Sequence, residues 1–235
     1  MGHTTVVESE LQELYAAGSR GVLDYLQGLS PRSQILIGVC GGRSVVGLLH
    51  TLRIQSALKH LWSKMHFFMV DERMVPLENE LSNYFLVNRE FFTGLCAERL
   101  LHPAQLHPFH IHESAPDRGV KKYENEFHTF GAAFDLAFLG VGEDGHVASL
   151  FPKHPSIAAS GEDFILVEHA PKPPPLRISA SHELLAKTGC LLGIFTGENK
   201  REAYQKFKNP RISISECPAK VLLSARNSLV LTDMK

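Results

Sequence analysis

Four short, predominantly apolar runs, each closed by a polar or glycine-bearing loop, limit the architectures open to this chain. They are residues 34–39 (QILIGV), 65–70 (MHFFMV), 134–140 (FDLAFLG) and 189–195 (GCLLGIF). None alternates apolar with polar, so each reads as a strand buried on both faces, the habit of parallel sheets covered by helices. Helical spacing lies between them, over residues 7–29, 44–59, 82–92, 116–130 and 198–207. Weaker strands are expected at 106–111, 164–169, 176–181 and 228–231, with the proline-rich stretch 171–175 separating the middle two. Strands alternating with helices predict βαβ units: an α/β fold with a mostly parallel sheet and helices on both faces. There is no internal repeat, low-complexity tract or linker. The 235 residues are therefore expected to form a single domain, 1–235.

Composition excludes several functions. A net charge of −1 gives no basic surface for nucleic acid, and no apolar run approaches the roughly 18 residues of a membrane span. The acidic N-terminal stretch is unlike a secretory signal. Gly2 follows Met1, but Val6 stands where N-myristoylation wants Ser or Thr. Cys40, Cys96, Cys190 and Cys217 are scattered without a CxxC pair, which suits reduced thiols and a cytoplasmic location better than a disulfide frame or zinc site.

In open α/β sheets ligands gather beyond the carboxyl ends of the strands, and here all four of those ends carry polar loops. The first is Cys40-Gly41-Gly42-Arg43-Ser44. Its glycines let backbone N–H groups approach an anion at a helix N-terminus, with Arg43 and Ser44 adding a charge and a hydroxyl; the alternative is a tight turn capped by Ser44. It is neither a P-loop nor a dinucleotide fingerprint. The second, Asp71-Glu72-Arg73, offers a base or hydroxyl-orienting acid and a cation for a carbonyl or phosphate oxygen, or else a solvated ion pair. Ser82 and Asn83 can cap a helix and reach the same cleft.

The third loop, residues 140–149 (GVGEDGHVAS), carries the strongest signal. Gly140, Gly142 and Gly145 indicate a tightly folded loop. Asp144 and His146 are two apart, so an extended segment would put them on one side. An imidazole suits taking a proton from water and returning it to a leaving oxygen, with Asp144 or another acid fixing its tautomer. The fourth loop ends in Lys200, at a helix end that disfavours cations unless an anion binds there. Arg177 follows the rigid Pro173-Pro174-Pro175 spacer. His102, His107, His110 and His112 match neither a helical metal pair nor HExxH, so no metal is expected. Ser149 lacks the G-x-S-x-G context of a nucleophile.

With these residues assembled, the chain resembles the 6-phosphogluconolactonases of the glucosamine/galactosamine-6-phosphate isomerase superfamily over nearly its whole length. Residues 140–152 match the family's GxGxDGHxASLFP signature. Asp71-Glu72-Arg73 with Val75-Pro76 matches DERxVP, Ser82-Asn83 the following SN, Arg177-Ile178-Ser179 the P-x-R-[IV]-[TS] strand, and the turn at Lys200 a G-x-x-K. The resemblance implies a modified Rossmann-like fold and hydrolysis of 6-phospho-D-glucono-1,5-lactone without cofactor or metal. It implies His146 as general base and acid, Asp71 and Arg73 at the sugar-ring end, and Arg177, Lys200 and the Gly41-Gly42 loop as phosphate clamp. It implies a small-molecule partner, with neither nucleic acid nor membrane. The family's first loop usually reads S-G-G-[ST]-[ST]-P; here Cys40, Arg43 and Val45 replace a serine, a hydroxyl residue and the proline. Two other activities are weighed. Amino-sugar phosphate deaminases carry F-N-E-P after the histidine, an acid absent from Ala148-Ser149-Leu150-Phe151-Pro152. A non-catalytic sugar-phosphate sensor would carry a DNA-binding segment, and no basic helix-turn-helix pattern precedes residue 30.

Overall fold

The computed structural model describes residues 3–234. Gly2, considered above for acylation, lies outside them. In chain order the elements are β1 (His3–Glu8), α1 (Leu11–Gly28), β2 (Ile35–Val39), α2 (Arg43–Arg53), α3 (Lys59–Trp62), β3 (Met65–Met69), β4 (Asp71–Arg73), α4 (Asn83–Val87) and α5 (Thr93–Ala97). There follow β5 (Leu106–His107), α6 (Val120–Phe130), β6 (Leu136–Gly140), β7 (Phe164–Val167), β8 (Arg177–Ala180), α7 (His182–Lys187), β9 (Cys190–Phe195), α8 (Arg201–Lys208) and β10 (Asn227–Thr232).

Seven strands form a wholly parallel sheet in the order β1-β10-β9-β6-β2-β3-β5. The period-2 alternation of side chains divides its strands between two cores. Ile35, Ile37 and Val39 of β2 pack with Leu14, Val22 and Leu48 of α1 and α2. Leu36, between them, joins Phe68, Phe127 and Phe164 on the opposite side. Gly38 has no room for a side chain: a Cβ there would come within 2.7 Å of Val70.

Several expectations are corrected. Helix α1 begins at Leu11, not residue 7, because residues 3–8 form an edge strand pairing with β10. The helix expected over 44–59 ends at Arg53, and that over 116–130 begins at Val120, after Gly119 turns the chain at φ 98°. The strand expected at 106–111 is two residues long, since Pro108 has no N–H for a ladder. The helix expected over 82–92 resolves into α4, a π-helical turn over Asn88–Phe92, and α5. The largest change concerns β4, β7 and β8, which form a separate antiparallel sheet in the order β4-β8-β7. The chain leaves the parallel sheet at Val70, whose N–H still bonds Val39 while its carbonyl accepts from Ala180. Asp71-Glu72-Arg73 is thus strand rather than loop, in register with Ser179, Ile178 and Arg177. Among the described residues no helix is long and apolar enough to cross a membrane.

Candidate active site

The glycine loop after β6 is a tight turn, not an extended segment. Gly145 N–H donates to the Gly142 carbonyl at 3.0 Å, and Gly142 N–H to the His146 carbonyl at 2.8 Å. Gly145 adopts φ 92°, a conformation costly for other residues. Gly142 is required for a different reason: a Cβ there would sit 2.0 Å from His146 Nδ1. The turn brings His146 Nδ1 to 2.5 Å from Asp144 Oδ1, which also accepts the His146 backbone N–H at 3.2 Å. The imidazole lies against Phe151, with ring centroids 4.7 Å apart. Burial works against the Asp144 carboxylate, but the hydrogen bonds and charge of His146 and the nearby Lys172 outweigh it and hold its pKa well below the usual range. An ionised Asp144 accepts the Nδ1 proton, which leaves the Nε2 lone pair as the basic position. Among the described residues Nε2 has no hydrogen-bond partner, and the histidine side chain is 17% exposed.

His146 lines a cleft of about 370 Å³. The cleft is also lined by the Gly41-Gly42 turn, by Arg43 and Ser44 of α2, and by Arg73, Lys172 and Lys200. Gly42 stands at φ 109° before the helix, and the first backbone N–H groups of α2, which have no intrahelical acceptor, adjoin the cleft. Gly41 is required because a Cβ there would meet Asn83 Oδ1 at 2.0 Å. Ser44 Oγ pairs with Thr196 Oγ1 at 2.7 Å, closing the gap between the first and fourth loops. Arg43 is exposed. Arg73 Nη1 donates to the Leu81 carbonyl at 2.8 Å, whereas its buried Nε has no partner. Four cations against one lining carboxylate, Glu143, give the cleft a positive field in a chain of net charge −1. Burial and the neighbouring Lys172 together depress the Lys200 pKa.

Three expected site residues lie beneath this cleft rather than in its walls. Asp71, 4% exposed, accepts from Ser149 Oγ at 2.8 Å and Asn83 Nδ2 at 3.1 Å. The Cys40 thiol also bonds Asp71; burial, together with that carboxylate, raises its pKa well above the usual value. Asn83 is buried at the start of α4, where its N–H donates to Glu72 Oε1 at 2.7 Å. Arg177 is 3% exposed and turns its guanidinium to backbone. Nη2 donates to the carbonyls of Lys172 (2.8 Å) and Pro173 (3.2 Å), Nε to that of Pro174 (3.0 Å), and Nη1 reaches Ser149 Oγ at 3.4 Å.

The sequence reading missed Lys172 as a cleft residue, and did not single out Glu143, Thr196 and Asn199 within the third and fourth loops. Lys172 left one legible trace, a lone cation inside a proline run. The histidines at 102, 107, 110 and 112 do not converge: His107 is buried, stacks 4.1 Å from Phe68 and bonds Glu126 Oε1 at 2.6 Å, while His102 Nδ1 accepts the Ala104 N–H. Among the described residues no three His, Cys, Asp or Glu side chains are grouped to hold a metal ion.

The chain is 37% identical over 199 residues to a 6-phosphogluconolactonase of Borreliella burgdorferi, covering 85% of this chain and 83% of that one. Its fold matches the crystal structure of 6-phosphogluconolactonase from Thermotoga maritima with a TM-score of 0.81 at 22% identity over 99% of both chains. It matches the three-dimensional structure of 6-phosphogluconolactonase from Trypanosoma brucei with a TM-score of 0.81 at 21% identity, over 99% of this chain and 96% of the other. The family described as glucosamine-6-phosphate isomerases/6-phosphogluconolactonase matches residues 9–231, and the chain belongs to it.

Proposed function

We propose that this protein hydrolyses 6-phospho-D-glucono-1,5-lactone to 6-phospho-D-gluconate in the oxidative pentose phosphate pathway. The observation that carries the reading is the His146–Asp144 pair, with a partnerless Nε2 facing a cleft lined by four cations. A dianionic phosphate at one end and an ester carbonyl at the other suit that combination of charge and base.

His146 Nε2 takes a proton from water, and the hydroxide attacks the lactone carbonyl. The N–H groups of Gly142, Gly145 and His146 are already used within their own turn. Arg73, which lines the cleft, is the better donor to the tetrahedral oxyanion. Collapse breaks the bond to the ring oxygen, which takes the proton back from His146 and leaves a carboxylic acid, whose own proton is lost to solvent to give the carboxylate. Lys200, Arg43 and the first amides of α2 hold the phosphate. Asp71, Asn83 and Arg177 act from below, by fixing the loops above them.

The deaminase reading is disfavoured because residues 147–152 carry no carboxylate after the histidine. Residues 1–235 are read as one catalytic domain acting in the cytoplasm on a sugar-phosphate lactone, without nucleic-acid or membrane partners. The four cysteines, all unpaired, are consistent with a reducing compartment. The test is to generate the lactone in situ and follow acid release above the spontaneous rate, alongside ammonia release from glucosamine 6-phosphate. Acceleration of the first alone supports the lactonase. Ammonia release would move the assignment to the deaminase, and binding without either reaction to a sensor.

A further inference from the structure

The strap between β7 and β8 holds Pro171, Pro173, Pro174 and Pro175, none of which has an N–H to donate. Apart from the Ala170 N–H to Pro175 carbonyl bond at 2.9 Å that closes its base, it has no ladder to fix its shape. Three consecutive carbonyls, those of Lys172, Pro173 and Pro174, instead point at one guanidinium, that of Arg177. The guanidinium is held in turn, with its carbon 5.3 Å from the centre of the Phe151 ring and Nη1 on Ser149. Phe151 also backs the His146 imidazole.

This arrangement has one outward product. Lys172, whose carbonyl Arg177 grips, extends its ammonium into the cleft, 3.0 Å from Glu143 Oε1 and 3.9 Å from Asp144 Oδ2. It is thus the one cleft cation in ion-pair range of the acid that orients His146, among the described residues. Glu143 is more than half exposed and exchanges readily with an incoming anion.

We propose that Lys172 is a binding residue for the substrate's anionic group and that Arg177 is its positioning residue, acting through the strap rather than by touching phosphate. Glu143 occupies Lys172 until an anion displaces it. The inference rests on the lactonase reading for its kinetic form, but its binding form does not.

The experiment compares Lys172→Ala, Lys172→Arg, Arg177→Lys and the double variant Lys172→Ala/Arg177→Lys, in turnover of the lactone and in calorimetric binding of 6-phosphogluconate. A charge-assisted contact corresponds to about tenfold in affinity. Lys172→Ala is therefore expected to raise KM and the dissociation constant about tenfold, with a smaller change in kcat, and Lys172→Arg to restore most of it. Arg177→Lys has one ammonium where three carbonyls need a planar fork, and should show the same KM-weighted loss. The double variant should bind no more weakly than Lys172→Ala alone, because Arg177 acts only through Lys172. A purely structural Arg177 would lower the melting temperature without moving KM. Unchanged KM in either single variant, or additive losses in the double, overturns the proposal. If the buried ammonium prevents Arg177→Lys from folding, Arg177→Gln replaces it, with the same outcomes read. Failure of wild-type turnover with intact binding differences would sink the lactonase reading while leaving this one standing.

Discussion

Replacing Gly142 by alanine separates catalytic geometry from stability. The new Cβ would lie 2.0 Å from His146 Nδ1, 2.2 Å from Cε1 and 2.7 Å from Asp144 Oδ1. Reaching ordinary contact at 3.4 Å requires the imidazole to retreat by about 1.4 Å. A move of that size cannot preserve a 2.5 Å bond to Asp144. The displaced ring also gives up its packing beside Phe151, whose centroid lies 4.7 Å away. A misplacement near 1 Å costs about 10²-fold in rate, so kcat for lactone hydrolysis should fall by about 10²-fold or more. The backbone at Gly142 is not in the left-handed region, and the methyl meets the end of a side chain that can rotate outward. The melting temperature should therefore change little, within about 1 kcal/mol of stability. The assay is steady-state acid release with the lactone generated in situ, beside a thermal melt. A well-folded Gly142→Ala enzyme within about threefold of wild-type kcat would refute the claim that the His146–Asp144 contact sets the rate.

Asp144→Asn should lower kcat about 10²–10⁴-fold, because an amide no longer selects the tautomer that leaves Nε2 basic. It should also alter the acid dependence of folding. The folded pKa of Asp144 lies below its unfolded value of about 3.9, so its contribution is complete above that pH and is lost on further acidification. The gap in melting temperature between wild type and Asp144→Asn should narrow below about pH 4. Glu72→Gln should destabilise by about 1–3 kcal/mol, since this buried carboxylate accepts from the N–H groups of Arg73, Asn83 and Tyr84 and from Ser82 Oγ, and an amide NH2 must face some of those donors. Rising salt should raise KM more than it lowers kcat, because the cleft's cations attract an anion through a field screened over about 10 Å at 0.1 M.

The parallel sheet was legible because its central strands are buried on both faces, and residues 34–39, 65–70, 134–140 and 189–195 announce that by lacking alternation. The second sheet was not. Asp71-Glu72-Arg73 carries no apolar signal, and it becomes a strand only by pairing with residues 177–179, more than a hundred positions away. Edge strand β1 was obscured for a related reason, since its partner β10 lies at the other end of the chain. Within the site, the Asp144–His146 pair followed from a spacing of two, although the turn closed by Gly142 and Gly145, not an extended chain, brings them together. Asp71 read as a cleft residue because charge at a strand end suggests a ligand, and Arg177 because the family resemblance implies a phosphate clamp there. Their burial depends on Ser149, Cys40 and the strap carbonyls, partners that only the folded chain supplies. Lys172 reversed the case: an inconspicuous lysine among prolines reaches the cleft because the buried Arg177 guanidinium shapes the strap.

The most direct test of the central claim is the turnover of 6-phosphogluconolactone by His146→Ala, measured on protein whose melting temperature matches the wild type. A loss of about 10²–10⁴-fold in kcat, with product still bound, is the expected result for a general base and acid. Near-wild-type turnover would contradict the account, since it would place the proton transfer somewhere other than His146.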